Sequence, residues 1–196
     1  MKKRSAKRKG RIVIISGPSG SGKTTLYKKI LLSRRLKGKL LKSVSATTRL
    51  RRPGERNGRD YFFLTKEKFL RLKKSGQFLE WEKVFSEYYG TLKSQVLKLL
   101  RAGKNVLLCI DVKGAETALR QYSDALTVFI KPPSVKILKD RLSRRGSESK
   151  TSLSVRLKRV QFEMSKAGMY QYIIVNDHLA KATKELQHII EKELEK

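Results

Sequence analysis

Three scarcities narrow the chain before any motif is found. It holds one cysteine, Cys109. A lone thiol cannot close an internal disulfide, and this one lies in an apolar run with the texture of a core strand. A reducing, cytoplasmic setting is the expectation. Long hydrophobic runs are missing too. No stretch approaches the roughly 18 apolar residues of a membrane-spanning helix. The apolar run behind the basic N-terminus, Ile12 to Ile15, is four residues, where a secretory signal needs about seven to fifteen. Acid is the third scarcity: 17 Asp and Glu stand against 47 Lys and Arg, giving a net charge of +30. Such a surface attracts anions, whether nucleotides, nucleic acid or acidic membrane. It excludes none of the three.

At 196 residues the chain suits one compact domain with at most an inserted lobe, and folding at this length buries roughly 70% of the unfolded surface. A hydrophobic fraction of 39% argues against disorder along the main body. The charge is uneven. Residues 1–60 carry 20 basic and 2 acidic residues, and residues 61–196 carry 27 and 15. Residues 1–10 read as a basic, disordered tail.

Apolar runs at Arg11–Ser16, Asn105–Ile110, Ala125–Ile130 and Tyr172–Val175 alternate with helix-like segments at Thr24–Arg35, Leu92–Ala102, Ala115–Tyr122, Val135–Arg145, Leu153–Lys166 and Ala180–Leu194. Continuous apolar strands between helices predict an α/β fold, a parallel sheet covered on both faces. Between Ser43 and Thr91 the texture shifts to Gly, Arg and aromatics, with short strand-like pieces and a helix beginning near Thr65. That stretch reads as a lobe inserted between the first and second βα units. Gly146 to Ser152, polar and glycine-led, reads as part of a lid.

Gly17-Pro18-Ser19-Gly20-Ser21-Gly22-Lys23-Thr24 fits G-x-x-x-x-G-K-[ST] directly between a strand and a helix, the context the motif requires. Glycines let successive backbone N–H groups converge on an anion, and the helix N-terminus adds a favourable dipole. Lys23 would reach the β- and γ-phosphates and the Thr24 hydroxyl would sit by Mg²⁺, with Thr25 next to it. A phosphate loop alone does not separate kinases, ATPases and GTPases.

Further motifs follow in order: Ser45-Ala-Thr-Thr-Arg49-Leu-Arg-Arg52-Pro-Gly-Glu55, Asn57-Gly-Arg-Asp60-Tyr61, Phe78-Leu-Glu80-Trp81, Tyr88-Tyr89-Gly90-Thr91, Ile110-Asp111, Pro132-Pro133-Ser134 and Arg144-Arg145-Gly146. With the phosphate loop, this set resembles the guanylate kinases over nearly the whole chain. The resemblance implies a P-loop NTPase-type parallel sheet flanked by helices (11–42 and 92–196), a small GMP-binding lobe (43–91) and a helical lid (about 141–156). It implies the reaction ATP + GMP → ADP + GDP with Mg²⁺, dGMP also serving as acceptor, in purine nucleotide metabolism. Carried over, Arg49, Arg52 and Tyr61 would hold the GMP phosphate beside Tyr89, with Glu55, Gly90 and Asp111 in the same site. Ser45, Glu80 and Thr91 would read guanine. Lys23, Arg49, Arg141, Arg145 and Arg156 would serve the transferring phosphoryl group, Asn176 would lie near adenine, and Thr24 and Asp111 would serve the metal.

The chemistry agrees with the residues. Guanine offers N1–H and N2–H₂ as adjacent donors that one carboxylate can accept together, and its O6 suits hydroxyls. Adenine would bring an acceptor against Glu80. Taken singly, Glu80 reads as a surface carboxylate, Tyr61 and Tyr89 as core, and the lid arginines as a solvated face; their common register favours the site. Asp111 also suits a helix N-cap. Three positions depart from the family pattern: Cys109 replaces an acidic residue two before the strand-end aspartate, Lys113 stands where Gln is frequent, and Arg51 stands where a proline separates the two arginines. Two rivals remain at this point: a non-catalytic guanylate-kinase-like binding protein, and non-specific RNA contact through the basic tail. No RNA-binding signature is present. Oligomeric state is not legible in the sequence.

Overall fold

The computed structural model describes residues 10–84, 86–134, 136–138 and 150–196, with side chains only from 158 onward in the last stretch. The basic tail (1–9), most of the expected helix Val135–Arg145, the start of the expected lid, Arg141 and Arg145 lie outside the described residues, as does the Arg156 side chain.

Five parallel strands form the main sheet in the order β2-β7-β1-β8-β9. They are β1 (Ile12–Ser16), β2 (Leu40–Lys42), β7 (Asn105–Cys109), β8 (Leu126–Lys131) and β9 (Tyr172–Val175). Every residue of β1 is buried, because helices cover both faces and each pleat direction meets apolar neighbours. Ile12 and Ile14 enter one core with Val106, Leu108 and Phe129, on the side of α3 (Lys93–Arg101) and α4 (Val112–Gln121). Val13 and Ile15 enter the other with Leu107, Val128 and Ile174, under α1 (Lys23–Leu31) and α6 (Leu179–Glu195). A further helix, α5, is Lys150–Ser165, followed by a 3₁₀ turn at Ala167–Met169.

A second sheet, β4-β3-β6-β5, is built from β3 (Ala46–Thr47), β4 (Phe62–Phe63), β5 (Phe78–Val84) and β6 (Glu87–Leu92), with α2 (Lys66–Lys74) against it. Its small core stacks Phe69 on Phe78 and Tyr88, ring centroids 4.4 and 5.4 Å apart. Thr65 caps α2 by accepting from the Lys68 amide at 3.3 Å.

Some expectations shift. The first helix ends at Leu31, not Arg35. Leu32 is exposed, and buried Leu36 is brought in by turns that Ser33 and Leu36 carbonyls close. The three-residue edge strand β2 was not anticipated. α4 starts three residues early because Asp111 caps it, accepting from the Gly114 amide at 2.8 Å. No helix among the described residues is long and apolar enough to cross a membrane.

Candidate functional site

The glycine-rich turn leaves the carboxyl end of β1, the edge where parallel α/β sheets place ligands. Gly17, Gly20 and Gly22 have φ of 136°, 85° and 92°, the left-handed side that glycine adopts without cost. Two of them are also held by close approach. A Cβ on Gly17 would strike the Ile130 carbonyl, and one on Gly22 the Asn176 amide. Asn176, buried at the end of β9, donates from Nδ2 to the Ser21 carbonyl at 2.8 Å. The residue expected near adenine is thus tied to the phosphate loop. Lys23 Nζ folds over the loop and donates to the Gly17 and Pro18 carbonyls at 2.6 and 2.9 Å. Thr24 and Thr25 are exposed in the first turn of α1, and Ser19 is exposed at the tip of the loop.

Across the cleft, the chain passes from β2 into the second sheet through Ser43–Ser45, which places Ser45 at the junction. Arg49 follows. Its guanidinium lies 5.6 Å from the Tyr61 ring centroid and 5.8 Å from that of Phe63, and Nη2 donates to both Glu55 oxygens at 2.8 and 3.0 Å. Glu55 also accepts from the Arg52 amide at 2.9 Å. Burial pushes the Glu55 carboxyl up, but these donors and their charges outweigh it and hold it below the usual range. Glu55 therefore orients Arg49, while the Arg52 side chain stays exposed. Tyr89 meets Tyr61 edge to face at 6.2 Å.

Glu80 owes its place to a register shift in β5 between Phe78 and Glu80. Ordinary alternation would send Phe78 and Glu80 to one face; the irregularity buries three consecutive side chains. Phe78 enters the lobe core, Leu79 the main core, and Glu80 points at α4. There a Cβ on Gly114 would lie 2.7 Å from Glu80 Oε2, so the helix approaches only because residue 114 is glycine. Burial, with Asp111 adding to it, lifts the Glu80 pKa to about 7; Thr91 pulls the other way. No ion pair neutralises Glu80 among the described residues. Thr91, paired with it across the strands, is buried with Oγ1 outside good hydrogen-bonding geometry to any described neighbour. Gly90 is glycine for packing: a Cβ would press on Phe78 and the Glu80 carbonyl.

Sequence reasoning missed Arg159. It donates to Asp111 Oδ2 at 2.7 Å and to Glu163 Oε1 at 3.1 Å. Its i,i+4 spacing to Glu163 was a readable signal; its reach to Asp111, 48 positions earlier, was not. Asp111 thus has one oxygen on the α4 cap and one on this arginine. Beside the pair, a cleft of about 340 Å³ opens between β5, α4 and α5, with Glu82, Lys113 and Phe162 among its walls. Lys113, one of the departures, meets Glu82 at 3.4 Å.

The chain therefore carries a glycine-rich loop at the carboxyl end of β1 and, in the second sheet, an arginine–tyrosine cluster and a buried carboxylate. The family model described as guanylate kinase matches residues 9–193. The chain belongs to the guanylate kinase family. It is 47% identical over 184 residues to a guanylate kinase of Rhodopirellula baltica, covering 92% of this chain and 87% of that one. A guanylate kinase of Thermotoga maritima is 40% identical over 185 residues, covering 94% and 88%. Among solved structures, guanylate kinase from Anaplasma phagocytophilum superposes with a TM-score of 0.76 at 32% identity, covering 96% of this chain and 88% of that chain. The guanylate kinase fold expected from the motifs is the fold found.

Proposed function

We propose that this member of the guanylate kinase family transfers the γ-phosphoryl group of ATP to GMP, and to dGMP, giving ADP and GDP. The observation that carries the reading is the buried Glu80, neutralised by no ion pair among the described residues, beside the buried Thr91 hydroxyl. A buried carboxylate is costly unless something completes it. Guanine does so with two adjacent donors, while its O6 takes hydroxyl donors from Thr91 and Ser45. Adenine would leave the site unpaired.

The acceptor phosphate then falls to Arg49, Arg52, Tyr61 and Tyr89. One of its oxygens attacks the γ-phosphorus of ATP as the bond to the β–γ bridging oxygen breaks, and ADP leaves. Such a transfer needs mainly positioning and charge stabilisation. The loop amides from Gly17 to Thr25 and Lys23 supply these on the donor side. Arg141, Arg145 and Arg156 would supply them from a lid at about 141–156 whose closure excludes water. Asn176 serves the donor by fixing the loop.

Mg²⁺ binds through substrate phosphates and one or two protein oxygens. The exposed Thr24 hydroxyl at the head of α1 fits that demand. Asp111 could serve only through lone pairs left over from Gly114 and Arg159. When bound, the ion would neutralise charge on the donor phosphates. The reading includes a cytoplasmic setting, which a single cysteine, half-buried and free, fits.

Coupled phosphotransfer assays with GMP, dGMP, AMP, UMP and CMP at fixed ATP test the proposal. GMP and dGMP should lead by orders of magnitude. AMP outrunning GMP would overturn the guanine reading, and no turnover with any acceptor would favour the non-catalytic binding protein.

A further inference from the structure

We propose that Lys42 is a further binding residue for the acceptor nucleotide, its ammonium contacting the GMP phosphate in company with Arg49 at the Tyr61 ring. The inference rests on the GMP reading above and adds a residue to that site.

Lys42 ends β2. Leu40, two positions earlier on the same face, is fully in the core under α1. One pleat further on, the core runs out and Lys42 lies between two aromatic rings. Its Nζ is 5.6 Å from the centroid of Tyr27 on α1 and 5.9 Å from that of Tyr61 in the second sheet, both within cation–π range. The aliphatic stem is half-buried. The ammonium, which has three protons to donate, makes no hydrogen bond and no ion pair among the described residues.

Nothing nearby neutralises it. Asp60, the carboxylate that acts on Lys42, is already held by Arg59 at 2.8 Å and by the Arg56 amide at 2.8 Å. A half-buried cation without an anion is unfavourable, and burial accordingly draws the Lys42 pKa down.

Position identifies the anion that Lys42 suits. The Tyr61 ring that Lys42 faces also carries the Arg49 guanidinium at 5.6 Å. Lys42 therefore shares one ring with the arginine assigned to the acceptor phosphate. The phosphate of the acceptor is the anion whose arrival would engage its protons, and the two tyrosine rings keep the side chain extended to meet it.

The test is steady-state kinetics and binding with the full chain and its Lys42→Met and Lys42→Arg variants, GMP and ATP varied in turn. Guanosine, which has the base but no phosphate, serves as a competitive inhibitor. Lys42→Met keeps the stem and should raise KM for GMP about 10- to 100-fold, the weight of one charge-assisted hydrogen bond. KM for ATP and the inhibition constant of guanosine should stay put. Lys42→Arg should recover most of the loss. Thermal melts confirm that each variant is folded.

An unchanged ratio of GMP to guanosine affinity in Lys42→Met overturns the proposal. So does an equal loss for both ligands, which would signal a distorted lobe, or a rise in KM for ATP alone, which would place Lys42 on the donor. In each of those cases the parent chain still makes GDP and the GMP reading stands. A parent chain with no GMP turnover overturns both.

Discussion

At Glu80, stability and recognition pull in opposite directions, and the raised pKa makes the conflict measurable. In the unfolded chain this carboxyl ionises near 4.5; in the folded chain it keeps its proton up to about 7. Between those values the folded state binds more protons, so stability falls as pH rises through that window, by about 3 kcal/mol in all. Glu80→Gln, which cannot ionise, should be the more stable protein in urea melts at pH 8 by up to that amount, and equal to the parent near pH 4.5. The same variant should lose about 100- to 1000-fold in kcat/KM for GMP, because two hydrogen bonds to a charged acceptor go with it. The pH profile supplies an independent check. Guanine needs the ionised form, so kcat/KM for GMP in the parent should fall as pH drops below about 7. The Gln variant should lack that limb, retaining only what the titration of the GMP phosphate itself contributes. Melts without pH-dependent divergence would mean that Glu80 is ionised in the free protein.

Among the elements, α4 packs directly against the Glu80 carboxyl, and its tolerances are tight. Gly114→Ala gains helix propensity of about 1 kcal/mol but puts a methyl group where Glu80 Oε2 lies at 2.7 Å. The carboxylate must move. The expected outcome is a melting temperature close to the parent's with KM for GMP raised about 10-fold or more, read by thermal denaturation and steady-state kinetics together. The phosphate loop has a matching dependence at its other end. Asn176→Ala leaves the buried Ser21 carbonyl without its 2.8 Å donor, at a cost of about 1–3 kcal/mol. It should raise KM for ATP more than KM for GMP.

How far these elements could be read in advance follows from their physics. β1, β7, β8 and β9 are covered on both faces and announce themselves as apolar runs. The glycine-rich loop and Glu80 sit in the ordered motifs that carry the family resemblance. β2, β3 and β4 are two or three residues long, and partners far along the chain define them; no periodicity develops over such lengths. Arg159 against Asp111, and Lys42 between Tyr27 and Tyr61, are meetings of distant segments. The fold creates them, and spacing does not foretell them.

For the whole molecule, the net charge of +30 exceeds anything the two nucleotides require. Its physical effect is a long-range attraction for anions that salt screens, the Debye length shrinking to about 8 Å near 0.15 M. Encounter, and hence kcat/KM, should therefore fall with added KCl more steeply than kcat, which reports the closed complex. Removing residues 2–9 separates two sources of the field. The deletion takes away six positive charges, leaving +24, and touches none of the motifs that line the cleft. The truncated chain should keep kcat at low salt and most of the salt slope for GMP, since Lys42, Arg49 and the other cleft cations remain. Retention on immobilised RNA should fall well below that of the full chain at the same ionic strength. A truncation that lost the slope for GMP would move substrate attraction from the folded body to the tail. One that kept full RNA retention would assign nucleic-acid affinity to the body, where α1 and α2 carry exposed lysines, and would make the basic surface a property of the fold itself.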